Sequence, residues 1–159
     1  AVDSVAALGD RPVELTLYGQ GEEKQQIIDY IGSRGVSERF HLQDRFLDHA
    51  DIPAAHADHG IYLAVTRMDA QGVSMCEAMA SGLPVISFDT CAIPEFIAHG
   101  ETGFLVRDFD VDQVPGYVDE LLSSRETFTR VAENARRSME AIDIRATAAR
   151  ELALVDGPW

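Results

Sequence analysis

The spacing of apolar residues changes period along this chain, and each change marks an element. Val13-Glu14-Leu15-Thr16-Leu17-Tyr18 alternates with period two and is rich in strand formers. Gly19-Gln20-Gly21 makes a turn. From Glu22 to Ser33 the residues Ile27, Ile28 and Ile31 share one helical face, and Gly35 ends the helix. Ahead of the first strand, Ala1 to Leu8 reads as the end of a helix stopped by Gly9-Asp10-Arg11-Pro12. Arg39-Phe40-His41-Leu42 is a short strand. Asp51-Ile52-Pro53 opens a helix, with Asp51 as its cap and Pro53 in the first turn. Gly60 to Thr66 is apolar almost throughout, as a strand covered on both faces is. Val73 to Ser81 predicts a helix that Gly82-Leu83-Pro84 stops. Pro84 to Phe88 is a strand, Ile93 to His99 a short helix ended by Gly100, and Thr102 to Val106 a last strand. The acidic stretch Asp108 to Asp112 reads as a turn with helix caps. From Asp110 to about Leu154 the pattern is helical, with Pro115 in a first turn and a break at Asp143. Asp156 to Trp159 reads as a frayed end.

Strands that alternate with helices predict an α/β fold: a Rossmann-like parallel sheet with helices on both faces. The order begins with a helix, so a strand is expected upstream, and residues 1–159 are read as one domain of a longer protein. Composition narrows the partners. Asp and Glu number 27 against 13 Lys and Arg, a net charge of −14, and the pI is near 4.5. Such a surface argues against sequence-independent nucleic-acid binding and against docking on anionic lipid. A hydrophobic content of 46% separates the chain from disordered acidic proteins. No apolar run reaches the length of a membrane span, and the opening residues carry no signal-peptide pattern. Cys76 and Cys91 read as free thiols in a reducing compartment, with one disulfide between them left open.

The chemistry concentrates in Thr66 to Ser87, TRMDAQGVSMCEAMASGLPVIS. A strand ends at Thr66, a polar loop follows, and a helix starts near Val73. A helix N-terminus is thereby set at the carboxyl end of a parallel strand, where open α/β sheets bind ligands. Its first backbone amides suit a phosphate or diphosphate, and Gly72 permits close approach. Asp69 in the loop and Glu77 in the helix stand eight positions apart. Each carboxylate accepts two hydrogen bonds, which suits vicinal hydroxyls of a sugar or ribose.

This segment resembles the E-x7-E region of retaining GT-B glycosyltransferases of the family 4 type, with Asp69 at the first acidic position and Glu77 at the second. Glu77-Ala78-Met79-Ala80-Ser81-Gly82-Leu83-Pro84-Val85-Ile86 is close to that family's usual run. Leu17-Tyr18-Gly19-Gln20-Gly21 resembles its "VGxGP" turn, and Arg39-Phe40-His41-Leu42 its "RVxFxG" strand. Ile93-Pro94-Glu95 and Gly100 to Val106 resemble "IPExIxxGxTGxLV".

The resemblance implies the C-terminal, donor-binding half of a GT-B fold. It implies that Glu77 holds the ribose hydroxyls, Asp69 touches the transferred sugar, and the amides of Gly72, Val73 and Ser74 face sugar and diphosphate. Gly19, Gly21 and the Leu42 to Arg45 loop lie near the nucleotide. The substrate it implies is a nucleoside diphosphate sugar, with no cofactor and no required metal. The acceptor, a glycan or glycolipid, is expected on an N-terminal domain outside this chain, together with the phosphate-binding Arg and Lys. Any membrane contact belongs there too. The whole protein is expected in the cytoplasm or at the inner face of the membrane, in polysaccharide or glycolipid synthesis. The piece alone is expected to bind nucleotide weakly and to transfer nothing. Asp69 is one methylene shorter than the family's Glu, and Ala70-Gln71 replaces Gly-Phe, which leaves the donor sugar open.

Plainer readings stand beside these. Ser74-x-x-Glu77 is also a capping box, with Ser74 as the cap. Gly19-x-Gly21 is also an ordinary strand-to-helix turn, with Lys24 where a dinucleotide fingerprint needs glycine. Asp48, His49, Asp51, His56, Asp58 and His59 are metal-like by type but lack ligand spacing, and a solvated helix and loop accounts for them. Arg67 is either a phosphate neighbour or a surface residue. A nucleotide-sugar epimerase, or a binding domain that kept the fold without the chemistry, would share these motifs.

Overall fold

The computed structural model describes residues 1–155, and the run 156–159 read as a frayed end lies outside the described residues. In chain order the elements are α1 (Val2–Ala7), β1 (Leu15–Tyr18), α2 (Lys24–Ser33), β2 (Phe40–Gln43), α3 (Ile52–Ala57), β3 (Tyr62–Ala64), α4 (Val73–Ala80), β4 (Val85–Phe88), α5 (Ile93–Phe96) and β5 (Phe104–Val106). The helices α6 (Val114–Ser123), α7 (Arg125–Glu140) and α8 (Ile144–Val155) follow. The predicted alternation is therefore present in the predicted order.

All strand pairs are parallel. β1 pairs with β2, Leu15 opposite Phe40 and Tyr18 opposite Gln43. β3, β4 and β5 form a second ladder, with Tyr62 opposite Val85 and Phe88 opposite Val106. Strands this short carry few ladder bonds, and the expected sheet divides into these two units. His59, past the end of α3, links that helix to β1: its ring meets the Ala55 carbonyl at 2.7 Å and the Thr16 hydroxyl of β1 at 3.0 Å.

The three-stranded unit is covered on both faces, because strand side chains alternate. Val85 and Leu105 point to one side, into a core with Met75, Ala78 and Met79 of α4 and Ala135 and Met139 of α7. Ile86, Phe104 and Val106 point to the other, against Val114, Val118 and Leu121 of α6 and Leu8 beyond α1. Val5, Ile31 and Val36 make a smaller core beneath β1 and β2. Arg39 fastens α1 to this unit by donating to the carbonyls of Val5, Gly9 and Val13.

Several local expectations need correction. Ile31 is buried, but Ile27 and Ile28 are 40% and 38% exposed, because α2 flanks a two-stranded unit too narrow to cover its whole apolar stripe. The apolar run Gly60 to Thr66 yields only a three-residue strand, half-buried, since β3 is the edge of its ladder. Asp51 stands at the N-cap of α3 by position, yet its carboxylate makes no capping bond. Helix α5 stops at Phe96, where Ile97 turns extended. The long helical tract also breaks at Ser124, whose hydroxyl accepts the Thr127 amide and starts α7. The stop after α4 is as expected: Gly82 has φ +81°, its amide reaches the Met79 carbonyl, and the Leu83 amide reaches Ala78.

Candidate functional site

Within each ladder parallel strands deliver their carboxyl ends to one edge, so the loops after β1 and β2 emerge together, as do those after β3 and β4. The loop after β3 is built by Asp69. Its Oδ1 accepts the amides of Gln71 at 3.1 Å and of Gly72 at 2.7 Å. Gly72 then takes a left-handed conformation, φ +67° and ψ +46°, and caps α4 through its own carbonyl, which receives the Cys76 amide at 2.9 Å. A side chain here would put a Cβ 2.7 Å from Cδ1 of the buried Ile93. Conformation and packing both demand glycine.

This geometry removes the capping-box reading. The cap is Gly72, not Ser74, which lies inside the helix, and no side chain caps α4. The left-handed glycine turns the chain into the helix earlier than the Ser-x-x-Glu pattern suggests. It also alters the expected set of free amides. The Gly72 amide is already bonded to Asp69, whereas those of Val73 and Ser74 donate to no group among the described residues. Val73 is 59% exposed.

Glu77 lies one turn further along α4 and is partly buried. Its Oε1 is 3.4 Å from Nδ1 of His49, in the loop between β2 and α3. That contact brings the β2 loop over α4. His56 packs nearby, with Nδ1 2.9 Å from the Ser81 hydroxyl and its ring edge-on to Tyr62. Burial lowers its pKa, against a smaller upward pull from Glu77. Burial likewise raises the Cys76 thiol, helped by the charges of Asp69 and Glu77. Cys76 thus feels both carboxylates of the candidate pair. The histidines of residues 48–59 disperse to Glu77, Ser81 and Thr16 rather than converging. Among the described residues no three His, Cys, Asp or Glu side chains come together as a metal site would require.

A cleft of about 590 Å³ opens where β1 and β2 end, lined by Gly19, Gln20, Gly21, Lys24, Gln43 and Asp44 among others. Gly19 and Gly21 are therefore placed together with the Leu42 to Arg45 loop. Arg45 stands at the rim with its guanidinium 5.6 Å from the centre of the Tyr18 ring. Arg67 leans on Phe109 at 5.9 Å and is exposed.

Three contacts escaped the sequence reading. Lys24 and Asp44 form an ion pair in the cleft, His49 meets Glu77, and Cys91 abuts the Asp69 loop. The first two are contacts between distant segments and leave no local signal. Cys91 is exposed and has φ +51°, a conformation that sequence pattern alone does not announce in a cysteine. The Asp69 backbone amide and the Thr90 hydroxyl both hold its thiol below the usual pKa. Both cysteines are free.

Comparison with known proteins adds a family. The sequence profile described as "Glycosyl transferases group 1" matches residues 1–138. The chain is 31% identical over 129 residues to an N-acetyl-alpha-D-glucosaminyl L-malate synthase of Bacillus anthracis, covering 79% of this chain and 32% of that protein. It spans between 18% and 36% of the length of the curated relatives it matches. Among solved structures it is similar to TarM of S. aureus, crystallised with UDP among its ligands, at a TM-score of 0.84 and 19% identity. That match covers 98% of this chain and 32% of TarM. It is also similar to the C-terminal domain of LpcC, a glycosyl transferase group 1 family protein from Francisella tularensis. There the TM-score is 0.76 at 21% identity, over 88% of this chain and 75% of that domain.

Proposed function

The chain belongs to the group 1 glycosyl transferases, and from that premise we propose that it is the donor-binding half of a retaining enzyme. The reaction is transfer of a glycosyl group from a nucleoside diphosphate sugar to an acceptor hydroxyl, with the anomeric configuration kept. The observation that carries this reading is the start of α4. Free amides of Val73 and Ser74 stand at the carboxyl edge of a parallel sheet, one turn from Glu77.

In this reading the free amides stabilise the charge that gathers on the diphosphate as the glycosidic bond breaks. Glu77 accepts hydrogen bonds from the ribose hydroxyls and exchanges His49 for them. Asp69 has Oδ1 engaged with its own loop, so only Oδ2 is offered to the sugar. Its first duty is to shape the loop that frees the Val73 and Ser74 amides. The nucleotide occupies the Gly19–Gly21 cleft beside Arg45, and no metal is required. The acceptor, a glycan or glycolipid, binds a further domain of a longer protein, and the 159-residue chain alone transfers nothing.

Amide resonances of the chain, followed during titration with nucleoside diphosphates and their sugar conjugates, test the reading. The expected result is saturable movement centred on Gly72 to Glu77, weakened in Glu77→Ala. Movement that ignores α4, or binding indifferent to Glu77→Ala, overturns it.

A further inference from the structure

The cleft at the ends of β1 and β2 carries a hydrogen-bonding pattern on one edge. Asp44 follows β2 directly, and its Oδ2 accepts from Lys24 Nζ at 2.8 Å. Its backbone carbonyl accepts from Gln20 Nε2 at 3.0 Å, which ties the loop after β2 to the turn after β1. Asp44 is therefore held through its backbone by Gln20 and through Oδ2 by Lys24, while Oδ1 takes no hydrogen bond among the described residues. Both charged side chains remain about half exposed and open to a ligand. Leu17, Ile27 and Leu42 supply apolar lining for a flat ring. The volume, about 590 Å³, is that of a small-molecule site.

Read along the edge, the cleft presents an ammonium donor beside a carboxylate that only accepts. Guanine offers the complement: the O6 acceptor, then the N1–H and N2–H donors side by side. Uracil offers acceptor, donor, acceptor, and adenine sets a ring-nitrogen acceptor beside its amino group. Either meets the pair with one acceptor and one donor, uracil through O4 and N3–H and adenine through N1 and its amino group, whereas guanine alone adds a second adjacent donor for the other carboxylate oxygen. We propose that the Lys24–Asp44 pair selects a guanine nucleotide, so that the donor is a guanosine diphosphate sugar. This rests on the donor-site reading above and adds the identity of the base to it.

The test is a parallel titration of the chain with GDP, UDP and ADP up to about 10 mM, followed by amide NMR. A bidentate match of this kind discriminates against the wrong base by about tenfold or more. GDP is therefore expected to half-saturate the shifts of Gly19 to Lys24 and Gln43 to Asp44 at about a tenth of the UDP or ADP concentration. Asp44→Asn turns an acceptor into a donor facing guanine N–H groups. It is expected to abolish that preference by weakening GDP about tenfold or more. Lys24→Gln, which keeps Asp44 in place, is expected to weaken GDP more than UDP. The amide spectra of the free variants report whether each is folded. UDP or ADP moving the same amides as readily as GDP overturns the guanine assignment and leaves the donor site standing. So does a GDP preference that survives Asp44→Asn. Failure of all three nucleotides to move either the cleft or α4 overturns both.

Discussion

Gly72 and Ser74 show how two residues apart can differ in consequence. Gly72 pairs a positive φ with a Cβ position 2.7 Å from Ile93 Cδ1, and Ile93 is almost wholly buried and has little room to yield. A left-handed L residue costs about 1–2 kcal/mol, and overpacking a core typically costs about 1–3 kcal/mol. Gly72→Ala is accordingly expected to lower unfolding free energy by about 2–4 kcal/mol in urea titrations. Ser74 caps nothing, so Ser74→Ala is expected within about 0.5 kcal/mol of the parent, where loss of a true cap would cost about 1 kcal/mol. The cysteines differ by environment in the same way. The Cys91 thiol is exposed and lowered by the Asp69 amide, whereas the Cys76 thiol is raised by burial. Reactivity follows the thiolate. Alkylation mapped by mass spectrometry across pH is expected to label Cys91 first and at lower pH, and equal labelling would contradict these environments.

At the scale of elements, α4 and α7 form the unit that holds the candidate site against the sheet. α7 repeats its buried residues at a spacing of four, Val131, Ala135 and Met139, which lays one stripe along the core. Met75, Ala78 and Met79 of α4 meet it. The small Ala135 and Ala78 bring the helices close, and Glu77 stays on the side away from that seam, toward His49. Helix α7 begins at Ser124, whose hydroxyl accepts the Thr127 amide at 3.2 Å. Ser124→Ala is expected to cost about 1 kcal/mol of unfolding free energy, with no change in ligand-induced shifts at Glu77. An effect below about 0.3 kcal/mol would show that the bond is not formed in solution.

For the whole molecule, charge and covering decide more than any one contact. A net charge of −14 on 159 residues makes the folded state repel itself. Most ion pairs here are exposed and offset little of this. Raising salt from about 10 mM to about 150 mM shortens the screening length from about 30 Å to about 8 Å. The thermal midpoint is expected to rise over that range, and a flat or falling midpoint would show that the pairs outweigh the repulsion. The same charge sharpens the interest of the Lys24–Asp44 pair, since Lys24 is the only lysine in the chain.

The amino-acid sequence alone determined the order of elements, the parallel α/β class and the segment from Thr66 to Ser87 that bears the chemistry. Those rest on periodicity, on glycine and proline stops and on motif runs such as Glu77 to Ile86, all of which act between near neighbours. The same local logic named Ser74 a cap, where it failed, and set Ile27, Ile28 and Ile31 on one helical face without telling which of them the fold buries. A left-handed Gly72 pre-empted the cap, and a narrow two-stranded unit left Ile27 and Ile28 open. Only the tertiary structure decided that Asp69 turns back on its own loop, that His49 meets Glu77 and that Lys24 meets Asp44. The last two join residues 28 and 20 positions apart, and crossover packing and strand register set such distances. Neither leaves a trace in the spacing of residues along the chain.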